Sequence, residues 1–296
     1  VHCKQMNPSL GRNLLVWKLT LYGLLFFILM LLITAHSPGA PQVTTSTPLA
    51  QDGQMSGRPR ELVIAAASNL TFVVKEVAAK FEEQTGTRVK LALGSSGNFY
   101  GQIVNGAPFD LFLSADAEYP QKLVEAGLAQ PESLSIYAVG RMVLWVPKSS
   151  PIDVGKLGIE SLLHPTVRKI AIANPALAPY GKAAVAVMDK SRLYQGVSSK
   201  LVLGENVSQT AQFVQSGAAD IGIIPLSLII GSPLETEGSY WEVPADLHPR
   251  VEQGVVVLKR TKAPELAQQF LQVLLGAEGS QIMTRYGYQA PATAAP

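Results

Sequence analysis

Apolar and polar residues alternate in a pattern that predicts strands followed by helices. Glu61–Ala67 is an almost wholly apolar run typical of a buried strand, and apolar residues at helical spacing follow over Leu70–Phe81. The same order recurs where Val89–Leu93 alternates like a strand and Phe99–Asn105 is predicted to be a short helix. Repeated strand-then-helix units favour an α/β protein.

The same pattern continues to the end of the chain. The further predicted strands are Asp110–Ala115, Ile136–Pro147, Lys169–Ala173, Lys200–Leu203, Ala219–Ile224 and Val251–Lys259. The further predicted helices are Glu118–Ala126, Lys182–Met188, Val207–Ser216, Ala263–Leu275 and Glu278–Tyr286. The two long apolar strands, Ile136–Pro147 and Val251–Lys259, are candidates for two crossings between lobes. We therefore predict one lobe of about 61–141 plus 252–288, a second lobe of about 142–251, and a tail at 289–296.

Serines lie at two of the predicted strand-to-helix turns. Ser68 follows the first strand, and Ser96 lies in the turn Gly94-Ser-Ser-Gly-Asn98 after the second. Consecutive parallel strands end at the same edge of a sheet, so both turns should face one crevice. Helix-start N–H groups and serine hydroxyls together favour an anion. The alternative is that Ser96 is only the N-cap of its helix.

The chain begins with a segment typical of an export signal. Leu19–Ala35 is an apolar run that follows basic residues and no acidic ones, as in a secretory signal or a signal anchor. We predict such a segment at residues 1–35 and a disordered, flexible linker at 36–60, which is rich in Pro, Ser, Thr and Gly. Pro38 and Pro41 follow the two candidate cleavage sites. An uncleaved tether to the inner membrane therefore stays an alternative to cleavage.

Composition excludes several classes of protein. The formal net charge is +2, from 24 basic and 22 acidic residues, and there is no basic run, so we expect no nucleic-acid partner. The one cysteine, Cys3, precedes the apolar run, so the exported part has no disulfide. The sequence has no nucleophile elbow and no Cys/His metal spacing. We expect no enzyme, no catalytic residue, no cofactor and no bound metal cation.

Four segments together resemble a known family. Glu61–Asn69, Leu93–Ile103, Gly106–Asp116 and Arg285–Tyr288 are similar, in that order and spacing, to the molybdate-binding protein of an ABC importer. The resemblance covers about residues 61–288. It implies the type II periplasmic binding protein fold, α/β with two lobes, two mixed sheets and a hinge. It also implies capture of molybdate or tungstate in the periplasm and delivery to a membrane permease, and we expect a monomer.

In that family uncharged hydroxyl and N–H donors hold the oxyanion, so molybdenum is bound as an oxyanion and not as a cation. The matching positions in this sequence are Ser68, Ser96, Tyr180 and Val207, with Asn69 as a further candidate and Pro225 at another family contact. Proline has neither N–H nor hydroxyl, so that last contact is missing or replaced, and the Tyr180 phenol could supply it from the other side of the cleft. The structural alternatives are a surface-turn tyrosine at Tyr180 and an ordinary core residue at Val207.

Two other functions remain as alternatives at this point. One is a binding protein for another tetrahedral oxyanion, namely sulfate, thiosulfate or phosphate, because sequence does not measure the size of a cavity. The other is the ligand-sensing domain of a transcription regulator. That class requires a DNA-binding helix-turn-helix, and here the predicted export signal stands in its place.

Overall fold

The computed structural model describes residues 61–291 of the 296-residue chain. The strands are β1 Glu61–Ala67, β2 Arg88–Gly94, β3 Leu111–Leu113, β4 Ser135–Gly140, β5 Met142–Pro147, β6 Ile170–Ala173, β7 Leu201–Gly204, β8 Ile221–Pro225, β9 Gly238–Glu242 and β10 Val251–Val257. The α-helices are α1 Val73–Thr85, α2 Ser96–Val104, α3 Glu118–Glu125, α4 Val154–Leu157, α5 Pro179–Lys190, α6 Tyr194–Val197, α7 Val207–Gln215, α8 Pro233–Glu237, α9 Pro264–Leu275 and α10 Ala277–Arg285. The predicted signal or anchor segment, the linker and most of the tail lie outside the described residues.

The strands form two mixed sheets of five strands each. The first has the order β2-β1-β3-β10-β4, with β1 parallel to β2 and β3 and with β10 antiparallel to β3 and β4. The second has the order β7-β6-β8-β5-β9, with β6 parallel to β7 and β8 and with β5 antiparallel to β8 and β9. The predicted fold class, α/β with two lobes and two mixed sheets, is confirmed.

The chain passes between the sheets twice. The first passage is at Arg141, between β4 and β5, so the single long strand predicted at Ile136–Pro147 is two strands in different sheets. The second passage lies between β9 and β10, because β10 belongs entirely to the first sheet. The Arg141 guanidinium binds both carboxylate oxygens of Glu242, the last residue of β9. This ion pair joins the two passages side by side.

Each sheet has its own apolar core. In the first, α1 and α9 pack on one face, where Phe81 and Phe270 meet edge to face at 5.4 Å between ring centroids. In the second, Trp145 is fully buried and its indole N–H donates to the Leu234 carbonyl at 3.1 Å. Burial of apolar surface is the main favourable term in folding, and these two cores hold the strand ends that form the site.

Helix starts differ from the sequence prediction in two informative places. Helix α2 begins at Ser96, three residues before the predicted start, and α5 begins at Pro179, so Tyr180 lies in a first helical turn and not in a loop before the helix. Proline is favoured at the first helical position because its fixed φ suits a helix and its missing N–H costs nothing there. Within residues 61–291, no helix is long and apolar enough to cross a membrane.

Candidate functional site

A small cavity lies where strand ends of the two sheets face each other. From the first sheet, β1 leads to Ser68 and β2 leads to Ser96; from the second, β6 leads to Tyr180 and β7 leads to Val207. All four predicted binding residues line this cavity, whose volume is about 10 Å³. The strand-turn-helix pattern thus converges as expected, while the role of these residues as ligands stays a prediction.

Helix starts surround the cavity. The 3-10 helix Ser68–Leu70 and helices α2, α5 and α7 all begin at residues that line it. A helix start presents unpaired N–H groups and the positive end of the helix dipole, which favours an anion. No charged side chain lines the cavity in the described part of the chain. The site therefore offers neutral donors to an anionic ligand.

The hydroxyls of Ser68 and Ser96 are both buried at the cavity. Ser68 donates to the Asn206 side-chain oxygen at 3.2 Å, across the cleft. Ser96 accepts from the Ala115 N–H at 3.0 Å, which leaves its own hydroxyl hydrogen free to donate. The N-cap of α2 is Ser95, and Ser96 is the first helical residue. The alternative that Ser96 is only an N-cap is therefore wrong.

Asn206 is the N-cap of α7. Its side-chain oxygen accepts from the N–H groups of Ser208 at 3.0 Å and Gln209 at 3.1 Å. The Val207 N–H has no hydrogen bond within residues 61–291, so it remains available to a ligand, while the Val207 side chain is buried in the core of the second lobe. Sequence reasoning missed Asn206, although an asparagine directly before a predicted helix is a recognisable N-cap.

Tyr180 is a buried residue, so the alternative of a surface-turn tyrosine is wrong. Its side chain is 2% exposed, and its hydroxyl has no hydrogen-bond partner in the described part of the chain. Both amide hydrogens of the neighbouring Gln253 are used, by the carbonyls of Ala115 at 3.2 Å and Val251 at 3.0 Å. Burial raises the pKa of Tyr180 well above its ordinary value, with the nearby Tyr288 adding to the effect. The phenol stays a neutral donor at physiological pH.

The two remaining candidates are placed differently. Asn69 lines the cavity, but its side-chain nitrogen donates to Gln253 at 2.8 Å and to the Tyr288 hydroxyl at 2.7 Å. Its side-chain nitrogen is thus committed to a buried network, although the residue itself borders the site. Pro225 ends β8, pairs with Met142 and is absent from the cavity wall. Because Pro225 does not reach the cavity, none of its other atoms supplies the family contact that is missing at this position.

The lobes are closed over the cavity. The Gly97 N–H, in the first turn of α2, donates to the Leu177 carbonyl of the second lobe at 2.8 Å. A Cβ on Gly97 would lie 2.8 Å from that same carbonyl oxygen, so the close approach of the two backbones requires glycine. One of the two glycines in the predicted turn therefore serves contact between the lobes.

Two exposed polar pairs, which we name the rim contacts, also cross the cleft. The Asn98 amide donates to the Glu205 carboxylate at 2.7 Å, and Lys182 lies 3.3 Å from Glu118. Neither pair touches the cavity wall. The rim contacts belong to the closed arrangement without belonging to the site.

Carboxylates stay out of the cavity. Asp110, Asp116 and Asp220 lie near strand ends, and each accepts hydrogen bonds from main-chain N–H groups of neighbouring segments. Within the described residues, no group of three or more His, Cys, Asp or Glu side chains is placed to hold a metal ion. The cavity therefore has the donors for an anion and lacks groups that would repel one.

A family model described as bacterial extracellular solute-binding protein matches residues 62–289. The chain belongs to this family. The molybdate-binding protein ModA of Rhodobacter capsulatus is 42% identical over 228 residues, which are 77% of this chain and 88% of the relative. ModA of Azotobacter vinelandii is 39% identical over 229 residues, which are 77% of this chain and 89% of the relative.

A solved structure agrees with these sequence relatives. The periplasmic molybdate-binding protein of Azotobacter vinelandii superposes with a TM-score of 0.74 at 35% identity, covering 78% of this chain and 99% of the neighbour. The resemblance to the molybdate-binding proteins of ABC importers that the four sequence segments indicated is confirmed.

Proposed function

We propose that this chain is an extracytoplasmic solute-binding protein that captures molybdate, and also tungstate, for an ABC transporter. The observation that carries the proposal is the cavity between the lobes at which helix starts from both lobes meet, lined by neutral donors and by no charged side chain. The identity to molybdate-binding relatives supports the same substrate.

The donors suit a tetrahedral dianion. Its four oxygens accept hydrogen bonds, and Ser68, Ser96 and Tyr180 supply hydroxyls while Val207 supplies a main-chain N–H. For Ser68 this means that the hydroxyl turns from Asn206 to the anion. Hydrogen bonds to a charged acceptor contribute more than neutral ones. A buried cationic side chain would add a large desolvation cost, which neutral donors avoid.

Capture is coupled to closure. Ser68 and Ser96 follow strands of the first sheet, and Tyr180 and Val207 follow strands of the second. A ligand that contacts both pairs binds the closed form better than the open one and shifts the population toward it. The closed form is then the one offered to the permease.

The setting follows from the predicted N-terminal segment. We propose that the chain acts as a monomer in the periplasm, with Leu19–Ala35 directing export and the linker giving the binding lobes reach to the permease. If the segment is not cleaved, it tethers the protein to the inner membrane. Such a role needs neither catalysis nor a cofactor.

Calorimetric titration of the full chain, purified in detergent, tests the proposal. Molybdate, tungstate, sulfate, thiosulfate and phosphate are titrated separately at one ionic strength. We expect molybdate and tungstate to bind far more tightly than the other three, because their larger tetrahedra span the donors of both lobes. Sulfate binding as tight as molybdate binding would contradict the proposed substrate.

A further inference from the structure

Ser95 is a buried polar residue at the cavity to which the proposed function assigns no role. It is the N-cap of α2 and is 2% exposed. Its hydroxyl has no hydrogen-bond partner within residues 61–291 and makes no capping bond to the helix that it precedes. A buried hydroxyl without a partner is unfavourable and calls for an explanation.

A contact between the lobes uses one of the two usual partners of an N-cap hydroxyl. An N-cap hydroxyl normally accepts from the N–H of the second or third helical residue, and the second residue of α2 is Gly97. The Gly97 N–H instead donates to Leu177 of the second lobe, at 2.8 Å. This contact between the lobes therefore occupies one of the two N–H groups from which an N-cap hydroxyl usually accepts.

The side chains of Ser96 and Asn206, on the same cavity wall, are already engaged and do not satisfy Ser95. Ser96 accepts from Ala115, and the Asn206 side-chain oxygen accepts from Ser68 and from two N–H groups of α7. Ser95 and Tyr180 are the two hydroxyls on the described cavity wall that lack any partner. Ser95 belongs to the first lobe and Tyr180 to the second, and no charged side chain lines the described cavity between them.

We propose that the Ser95 hydroxyl is a further donor to the bound oxyanion. The inference rests on the proposed function, since it concerns the same cavity. Ser95 then acts with Ser96 as an adjacent pair of donors at the start of α2. Each hydroxyl reaches the anion from a different backbone position, and the pair restricts which tetrahedron fits.

The test compares molybdate binding by the wild-type chain with that of three variants in calorimetry. Ser95→Ala removes the hydroxyl, and Ser95→Gly removes it while keeping a residue that is well tolerated at an N-cap. The matched control is Ser161→Ala, because Ser161 is also a buried hydroxyl without a partner but lies away from the cavity. We expect both Ser95 variants to raise the molybdate Kd by about 10- to 100-fold, as for loss of a charge-assisted hydrogen bond, and Ser161→Ala to leave it unchanged.

Failure of the inference and failure of the proposed function give different results. If the wild-type chain and Ser161→Ala bind molybdate and the Ser95 variants bind it equally tightly, the Ser95 hydroxyl does not contact the anion and the inference fails. If the wild-type chain binds none of the oxyanions, the proposed function fails and the role of Ser95 falls with it.

Discussion

At the scale of single residues, Tyr180 separates binding from stability most cleanly. Its hydroxyl is buried and has no partner within residues 61–291. Tyr180→Phe keeps the ring and removes only this oxygen, so we expect the free energy of unfolding of the ligand-free protein to stay unchanged or to rise by up to about 1 kcal/mol. The molybdate Kd should rise by about 10-fold, because an anion contact is lost. Calorimetry and denaturant titration of the same variant measure the two quantities.

Tyr240→Phe provides the control for the Tyr180 substitution. Tyr240 is 43% exposed on the edge strand β9, far along the chain from any cavity residue. The same chemical change there should alter neither quantity. If Tyr180→Phe bound molybdate as tightly as the wild-type chain, the anion contacts would have to come from the serines and main-chain donors alone.

Local patterns predict some of these residues and miss others for a physical reason. Ser68 and Ser96 each follow a recognisable strand, and because parallel strands end at a common edge, that spacing alone predicts that both serines lie there. The side chain of Asn69 behaves differently, because its partners Gln253 and Tyr288 lie 184 and 219 residues further along the chain. Contacts of such separation leave no periodic signal in sequence, so only the folded chain reveals that this amide faces a buried network.

At the scale of elements, the end of β4 has to be glycine for α5 to bring Tyr180 to the site. A Cβ on Gly140 would lie 1.9 Å from the Tyr180 hydroxyl oxygen and 2.9 Å from the ring carbon that carries it. Gly140→Ala should therefore displace the phenol and weaken molybdate binding at least about 10-fold. Overpacking a buried site also costs about 1–3 kcal/mol of stability. Calorimetry and thermal melting measure the two effects.

Gly101→Ala is the matched control for Gly140→Ala. Gly101 lies within α2, and a Cβ there would meet no atom within 4 Å. Alanine is a better helix former than glycine by roughly 0.5–1 kcal/mol, so the control should melt slightly higher and bind molybdate as before. Wild-type affinity in Gly140→Ala would show that the Tyr180 phenol does not need its present position.

Element boundaries show the same division between what sequence predicts and what it does not. The run Ile136–Pro147 is apolar almost throughout, and nothing in its periodicity marks the change of sheet at Arg141. Strand β9, Gly238-Ser-Tyr-Trp-Glu242, lacks an apolar run because it is an edge strand with half-exposed side chains. This segment forms a strand because it pairs with β5, and its own sequence carries no strand pattern.

At the scale of the whole molecule, buried tyrosines make stability depend on alkaline pH. Burial raises the pKa of Tyr137, Tyr180 and Tyr288 above the ordinary value in each case. In the unfolded chain they ionise near about pH 10, so above that pH the folded protein holds protons that the unfolded chain releases. The free energy of unfolding should be unaffected by these groups below about pH 10 and should fall above it, by about 1.4 kcal/mol per pH unit for each tyrosine.

Urea denaturation at a series of pH values from about 8 to 11 measures this slope. Tyr137→Phe should make the slope less steep by up to about 1.4 kcal/mol per pH unit, since one contributing group is removed. The control Tyr240→Phe makes the same chemical change at a tyrosine that is exposed in the folded protein. Equal slopes in the wild-type chain and in Tyr137→Phe would contradict the assignment.

The rim contacts join the two lobes and therefore affect how stable the closed form is. Asn98 pairs with Glu205 and Lys182 with Glu118 across the cleft, and neither pair lines the cavity. They stabilise the closed form without touching the ligand. A residue of this kind changes how often the protein is closed, and therefore changes the apparent affinity for every ligand that requires closure.

The variant Asn98→Ala/Lys182→Ala removes both rim contacts. Exposed polar pairs contribute little each, so we expect the affinities for molybdate and tungstate to fall by one common factor, up to about 5-fold, mainly through faster dissociation. Substitutions at Ser95 or Tyr180, by contrast, should change the ratio between the two ions, because those side chains would contact the ligand itself. Stopped-flow dissociation and calorimetry with both ions measure this. A changed ratio of molybdate to tungstate affinity in the rim variant would contradict this expectation. It would mean that the rim contacts also influence the shape of the cavity, and not closure alone.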